Sequence, residues 1–246
     1  MRIALIGYGK MGRMIDSLAL PLGFTVVARI DQTTDPGWAD LDEAEVAIEF
    51  SGPAWAPDNL LRLAERSLPT VCGTTGWEAQ YPTVAEAYRR QGCRLVTGTN
   101  FSVGVNLLFL LNRKLAGWMN QLPNYDVALE ERHHTQKADA PSGTALTLAH
   151  EILQRLERKT QLAPPSELAY RPPAPEELTV GVVRVGGLAG THRVLYTSSI
   201  DQLELVHTAH TREGFAQGAL LAAKWLRANP GIHRFEDIFE QIVGAK

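Results

Sequence analysis

The sequence predicts an α/β fold in two parts: a doubly wound parallel sheet, then an α+β domain with a mixed or antiparallel sheet. Three observations predict it. Through the first hundred residues, short apolar runs alternate with segments that repeat apolar side chains at i, i+3 and i+4. After Asn106 the texture changes to strands that alternate apolar and polar, as expected when one sheet face is solvated. The chain of 246 residues, 45% hydrophobic and 21% charged, is long enough to build such cores by packing alone.

In chain order, residues 3–6, 26–30, 46–50, 70–72 and 94–97 read as buried strands because each is a nearly unbroken apolar run. Residues 11–20, 56–66 and 83–91 carry the amphipathic pattern of crossover helices, which parallel strands require. Residues 107–118 look helical, 125–131 alternate like a half-exposed strand, and 143–156 form a long amphipathic helix. Residues 163–177 hold five of the fourteen prolines and read as an extended loop. Residues 179–185, 192–200 and 202–210 alternate as strands, whereas 214–228 and 235–243 are helical again and are expected to pack back on the first domain. This segmentation assigns residues 1–106 and 214–246 to one domain and residues 107–213 to the other.

Lys plus Arg is 24 against 27 for Asp plus Glu, a formal charge of -3, so no global field recruits nucleic acid or anionic lipid. Cys72 and Cys93 lack CxxC spacing and a companion His set, so neither a disulfide framework nor a structural zinc is expected. The first apolar run stops at Gly7, and no stretch approaches 18 apolar residues. The expected place is therefore the cytoplasm, with no membrane partner.

Gly7-Tyr8-Gly9-Lys10-Met11-Gly12 follows a strand and opens a helix, the context in which GxGxxG cradles a dinucleotide pyrophosphate. Lys10 and Met11 stand in the turn itself. Asp31 ends the next strand, where an acidic side chain accepts hydrogen bonds from the ribose hydroxyls of NAD. Together these features outweigh a plain glycine turn and an ordinary strand-end Asp, and they predict a Rossmann dinucleotide-binding domain. Asp31 repels a 2′-phosphate and Gln32 brings no compensating charge, although Arg29 and Lys10 are nearby cations. NADH is thus favoured over NADPH. Gly73-Thr74-Thr75-Gly76 follows the fourth strand and reaches the same sheet edge.

The densest polar constellation runs from Glu131 through His133, His134, Lys137, Asp139, Pro141, Ser142, Gly143 and Thr144 to Ala145. It leaves a strand, crosses a polar loop and enters a helix. The unpaired N–H groups at that helix start, with the hydroxyls of Ser142 and Thr144, form a carboxylate pocket, and Lys137 adds a point charge. His133 or His134 can move a proton beside a bound anion near neutral pH. The plain alternative is two surface histidines and a serine N-cap. Zinc is disfavoured because adjacent His do not chelate in the usual way and no third ligand stands at recognisable spacing. A serine hydrolase is disfavoured because Ser142 lacks the GxSxG elbow.

The same run, E-x-H-H-x-x-K-x-D-A-P-S-G-T-A, resembles the signature of the 4-hydroxy-tetrahydrodipicolinate reductase (dihydrodipicolinate reductase) family. The resemblance continues in order along the chain: GxGxMG at Gly7 to Gly12, GTTG at Gly73 to Gly76, NFSVGVN at Asn100 to Asn106, and RxGxxxGxH from Arg184 to His192. It implies reduction of 4-hydroxy-tetrahydrodipicolinate by NADH or NADPH in the diaminopimelate route to lysine. It also implies a Rossmann domain, a substrate and oligomerisation domain, a returning C-terminal helical segment and a homotetramer. His133 matches the family's general acid and Lys137 its cationic donor. His134, Ser142, Gly143 and Thr144 match contacts to a dicarboxylate substrate. Gly73, Thr74 and Thr75 match residues near the nicotinamide and its ribose, while Thr99, Asn100 and Phe101 match a loop that also touches cofactor. The chain departs from the family pattern at Gly187-Leu188, where Gly-Asp is usual, and at Asp31, where Glu is. Another two-domain NAD-dependent reductase, or an NADH-binding sensor, would share the first domain but has no need of the whole run from Glu131 to Ala145.

Overall fold

The computed structural model describes residues 1–31, 38, 41–164, 166–167 and 170–244; Gln32 and parts of the proline-rich stretch lie outside them. The chain divides into two compact units, Met1–Val103 with Arg212–Lys246, and Gly104–Thr211.

In the first unit the apolar runs become β1 (Arg2–Ile6), β2 (Thr25–Ile30), β3 (Val46–Glu49), β4 (Thr70–Cys72) and β5 (Leu95–Thr97). The late strand β11 (Ile232–Arg234) joins them in one parallel sheet of order β11-β5-β4-β3-β1-β2. Successive side chains point to opposite faces, and both faces are covered. Ile3 and Leu5 pack with α1 (Lys10–Ala19), α6 (Glu213–Leu226) and α7 (Phe235–Gly244). Ala4 and Ile6 turn the other way, toward Leu63 of α2 (Ala56–Glu65), while Cys72 and Leu95 pack beneath α2 and α3 (Tyr81–Arg90). Burial on two sides explains why these strands read as continuous apolar runs. The helix α6 fits closely because Ala216, Ala219, Ala222 and Ala223 are wholly buried small side chains. β11 has only three residues and offers no periodicity to read.

From β1 the chain steps outward to β2 and then crosses to the other side of β1 for β3. The strand order therefore reverses between β1 and β3, which opens a crevice at the carboxyl ends of those strands. The glycine turn sits at that edge.

The second unit is built on a mixed sheet of order β10-β9-β6-β8-β7. Its strands are β6 (Asp126–His133), β7 (Gln161–Leu162), β8 (Glu177–Arg184), β9 (Thr191–Thr197) and β10 (Gln202–Thr208). β6 runs parallel to β8 and antiparallel to β9. Along β6, Val127, Leu129, Glu131 and His133 are buried, and the intervening residues face the other way. The two apolar members pack with α4 (Val103–Met119) and α5 (Gly143–Leu153) in one core. α4 begins four residues earlier than its periodicity indicates. β9 stops at Thr197 because Ser198 closes a turn on Asp201.

Candidate active site

The β1–α1 turn is shaped by close approaches. Gly7 has φ +91, and a Cβ on it would stand 2.4 Å from the Phe50 carbonyl oxygen; a Cβ on Gly12 would stand 2.2 Å from the Gly7 oxygen. Gly9 is the exposed N-cap of α1, with no side-chain cap and nothing within 4 Å of where its Cβ would be. The start of α1 is thus uncapped and open beside Gly9, which suits a pyrophosphate. Lys10 is exposed and Met11 half-buried on that first turn, and Asp31 is exposed just beyond β2.

Arg29 is already engaged. Its guanidinium grips Asp16 of α1 at 2.7 and 2.9 Å, and the Tyr8 hydroxyl donates to the same carboxylate. The Arg29 hydrogen bond is the main reason that Asp16 titrates below the usual carboxylate range in spite of partial burial.

At the next strand ends, the Gly73 N–H donates to the Glu49 carbonyl at 2.9 Å and the Trp77 indole N–H to the Thr74 carbonyl at 2.7 Å. The Thr74 hydroxyl is buried and has no hydrogen-bond partner among the described residues, whereas Thr75 is exposed. Such an orphaned hydroxyl beside a dinucleotide turn fits a ligand that brings polar groups of its own. Below the loop, Cys72 hydrogen-bonds Glu49 at 3.3 Å; burial first, and then Glu49, push this thiol well above its ordinary pKa, so it is inert. Thr99 donates through both N–H and hydroxyl to Glu236 at 3.1 Å, and the Asn100 side-chain oxygen accepts from the Ser102 N–H at 2.9 Å. The Phe101 ring stacks on Phe235 with centroids 4.6 Å apart and the residue is 1% exposed, so its side chain belongs to the core. Together these loops fit a nicotinamide dinucleotide.

The polar constellation lies in the second unit. Ser142 caps α5: its hydroxyl accepts from the Ala145 N–H at 3.2 Å, and its own N–H donates to Glu131 at 3.1 Å. Gly143 is exposed and Thr144 half-buried at the helix start. Lys137 bonds Asp139 at 2.8 Å, and this hydrogen bond is the main reason that the Asp139 carboxyl lies below its ordinary pKa. His134 is half-buried, with Nδ1 unpartnered among the described residues.

His133 is buried beside groups that no spacing rule connects. Register places Arg184 of β8 opposite His133, and His192 of β9 opposite Glu131. The Arg184 guanidinium lies 2.7 Å from one oxygen of fully buried Glu131, while the other oxygen lies 3.5 Å from His133 Nδ1 and 3.7 Å from His192 Nε2. The two imidazoles meet edge to face, with centroids 5.0 Å apart. Burial raises Glu131, but its hydrogen bonds to Ser142 and Arg184 outweigh this and leave the carboxyl below its ordinary pKa. Burial lowers His133 despite Glu131, and it lowers His192 to about 4, with His133 adding to the effect. Both imidazoles are therefore neutral at rest.

The spacing argument against zinc found no third ligand in sequence, yet the fold brings donor atoms of Glu131, His133 and His192 within 4.8 Å. The missing partner came from a neighbouring strand. Arg184 already neutralises that carboxylate, so the cluster is better described as a hydrogen-bonding and proton-handling network than as a cation site. The sequence assigned no role to Arg184 or His192 beyond a family motif, because their proximity depends on strand register alone.

The profile described as "Dihydrodipicolinate reductase, N-terminus" matches residues 1–101, and "Dihydrodipicolinate reductase, C-terminus" matches residues 104–239. The 4-hydroxy-tetrahydrodipicolinate reductase of Christiangramia forsetii is 38% identical over 244 residues, covering 98% of this chain and 99% of that one. The enzyme of the same name from Caldanaerobacter subterraneus subsp. tengcongensis is 34% identical and covers 95% of both chains. Among solved structures, a dipicolinate-bound dihydrodipicolinate reductase from Paenisporosarcina sp. TG-14 shares the fold, with a TM-score of 0.80 at 20% identity over 97% of this chain and 99% of that one. Matched by profiles along both of its units and by relatives along nearly its full length, the chain belongs to the dihydrodipicolinate reductase family.

Proposed function

We propose that the chain reduces 4-hydroxy-tetrahydrodipicolinate to tetrahydrodipicolinate with NADH or NADPH, in the diaminopimelate route to lysine, as a cytoplasmic oxidoreductase. In this reading residues 1–106 and 214–246 hold the dinucleotide, and residues 107–213 hold the dicarboxylate substrate and mediate assembly. Full-length relatives named for this reaction support it. The observation that carries the site is a carboxylate already held there: Asp139 on the Lys137 ammonium, 2.8 Å away, next to the serine-capped start of α5. A substrate carboxylate would take that place, bound by Lys137, His134 and the N–H groups of Gly143 and Thr144, with Ser142 fixing the helix start.

Loss of the substrate hydroxyl together with a proton of the neighbouring ring carbon releases one water and leaves a ring double bond, and the reduced nicotinamide would supply a hydride to the carbon that carried the hydroxyl. His133 delivers the proton to the neighbouring ring carbon. Neutral at rest, it becomes a better proton carrier when a dianion binds, because two added negative charges offset Lys137 and Arg184 and favour the imidazolium. Lys137 holds the substrate and polarises it toward reduction.

NADH is the preferred donor in this reading: Asp31 stands exposed at the ribose position, and Arg29, one of the two nearby cations, is held by Asp16. A homotetramer is supported by the outer face of the second sheet, where Val183 is 40% and Val206 55% exposed. No helix among the described residues is long and apolar enough to cross a membrane.

The test follows loss of reduced-cofactor absorbance with substrate made in situ from pyruvate and aspartate semialdehyde, run separately with NADH and NADPH. His133→Ala lowers kcat by about 10²–10⁴ with less effect on KM, and Lys137→Ala impairs both. Variants as active as the parent chain refute these roles. Light scattering should give four times the 27.0 kDa chain mass.

A further inference from the structure

The Glu131 carboxylate is fully buried, and its two oxygens face different parts of the site. One accepts from Arg184 at 2.7 Å and from the Ser142 N–H at 3.1 Å, at the start of the helix whose next N–H groups form the carboxylate pocket. The other has no hydrogen bond among the described residues and is aimed between His133 Nδ1, at 3.5 Å, and His192 Nε2, at 3.7 Å. His133 Nδ1 is likewise buried and unpartnered. An orphan acceptor facing an orphan ring nitrogen is a costly arrangement unless a proton lies between them.

The surroundings leave His133 little choice of orientation. The His192 ring packs edge-on against it, and a Cβ at Gly190, where φ is +146, would come within 3.0 Å of His133 Nε2. Gly190 thus leaves room at Nε2, the nitrogen opposite Glu131. Among the described residues, the charged and titratable groups facing His133 are Glu131 from its own strand, Lys137 and Asp139 from the following loop, Arg184 from β8 and His192 from β9. Of the two carboxylates, Glu131 is the buried one.

We propose that Glu131 is a positioning residue that holds the Nδ1–H tautomer of His133, leaves Nε2 to exchange the substrate's proton, and ties this imidazole to the helix start that binds the substrate carboxylate. It stabilises the imidazolium without accepting a proton itself, the role a buried carboxylate plays behind a catalytic histidine. His192 supports it from the far side: its Nε2 lies 3.2 Å from the Ser142 hydroxyl, so the second imidazole braces the same helix cap. One carboxylate then coordinates binding and proton delivery. The proposal rests on His133 carrying the proton.

The experiment compares Glu131→Gln, Glu131→Asp and His133→Ala with the parent chain, reading kcat and KM against pH in the coupled reduction and titrating ring-labelled histidines by NMR. The Gln variant keeps an oxygen for Arg184 and the Ser142 N–H, so KM stays within about 3-fold while kcat falls at least about 10-fold. Loss of the negative charge moves the alkaline fall in kcat, and the His133 NMR titration, down by about one pH unit. Asp keeps the charge farther away and falls between Gln and the parent, so it carries the comparison if the Gln variant does not fold. An unmoved His133 titration in either folded variant overturns the proposal, as does a pH profile that follows the parent's while kcat falls, since a purely structural defect would give that pattern. If His133→Ala is as active as the parent but the NMR titration still moves with Glu131, the proton-carrying role of His133 is wrong and the pairing with Glu131 is right.

Discussion

Gly9 and Gly12 lie three residues apart in one turn, yet a methyl group should affect them differently. At Gly12 the added Cβ would sit 2.2 Å from the Gly7 carbonyl oxygen, about 1 Å inside ordinary contact. Helix α1 must move away from its strand, which costs about 1–3 kcal/mol and lowers the melting temperature by roughly 2–10 °C in a chain of this size. At Gly9 the added Cβ meets nothing within 4 Å, and φ of -80° is comfortable for alanine, so the melting temperature should stay within about 1 °C. The space it fills is where a pyrophosphate would contact the helix N-terminus. Losing one charge-assisted hydrogen bond there is worth about 1.5–3 kcal/mol, which weakens dinucleotide binding roughly 10- to 150-fold. Titration of NADH by fluorescence, paired with thermal melts, reads both effects. Gly9→Ala with parental NADH affinity would refute the placement of the pyrophosphate, and a Gly12→Ala variant as stable as the parent would refute the packing argument.

Three further outcomes are expected. Asp16→Ala releases Arg29 and should raise the ratio of NADPH to NADH efficiency by about 5-fold, read from kcat/KM with each cofactor; an unchanged ratio would mean that Arg29 does not reach the ribose. Asp139→Ala removes the carboxylate that competes for Lys137 and the α5 start and should lower the substrate KM about 2- to 5-fold, whereas a raised KM would show that Asp139 instead holds Lys137 in place. Because burial depresses His192 to about 4, the unfolded chain binds this proton more readily than the folded one. Its contribution to stability is fully present above about pH 6.5 and fades as pH falls toward 4, by up to about 3 kcal/mol. Denaturant melts from pH 7 to 4 should steepen less for His192→Gln than for the parent; parallel curves would contradict the assignment.

The sequence by itself determined the parallel sheet, the glycine turn, the serine-capped helix and the run from Glu131 to Ala145. Each is a local pattern: an apolar run buried on both faces, a glycine spacing that one turn requires, or a cap residue with its first helical turn. Boundaries moved by a few residues where tertiary packing outlasts periodicity, as at Val103 in α4, or where a turn closes early, as at Ser198.

Only the tertiary structure decided which distant residues meet. β11 is too short to signal itself and exists because it finds the edge of β5. Arg184 and His192 reach Glu131 and His133 through the pairing of β6 with β8 and β9, and strand register leaves no trace in residue spacing. Arg29 looked like a cation near the cofactor until α1 brought Asp16 against it. Phe101, placed in a cofactor loop by resemblance, turns its ring into the core against Phe235. Local chemistry is written along the chain, whereas the electrostatic surroundings that tune it arise from contacts across it, and those are selected by packing.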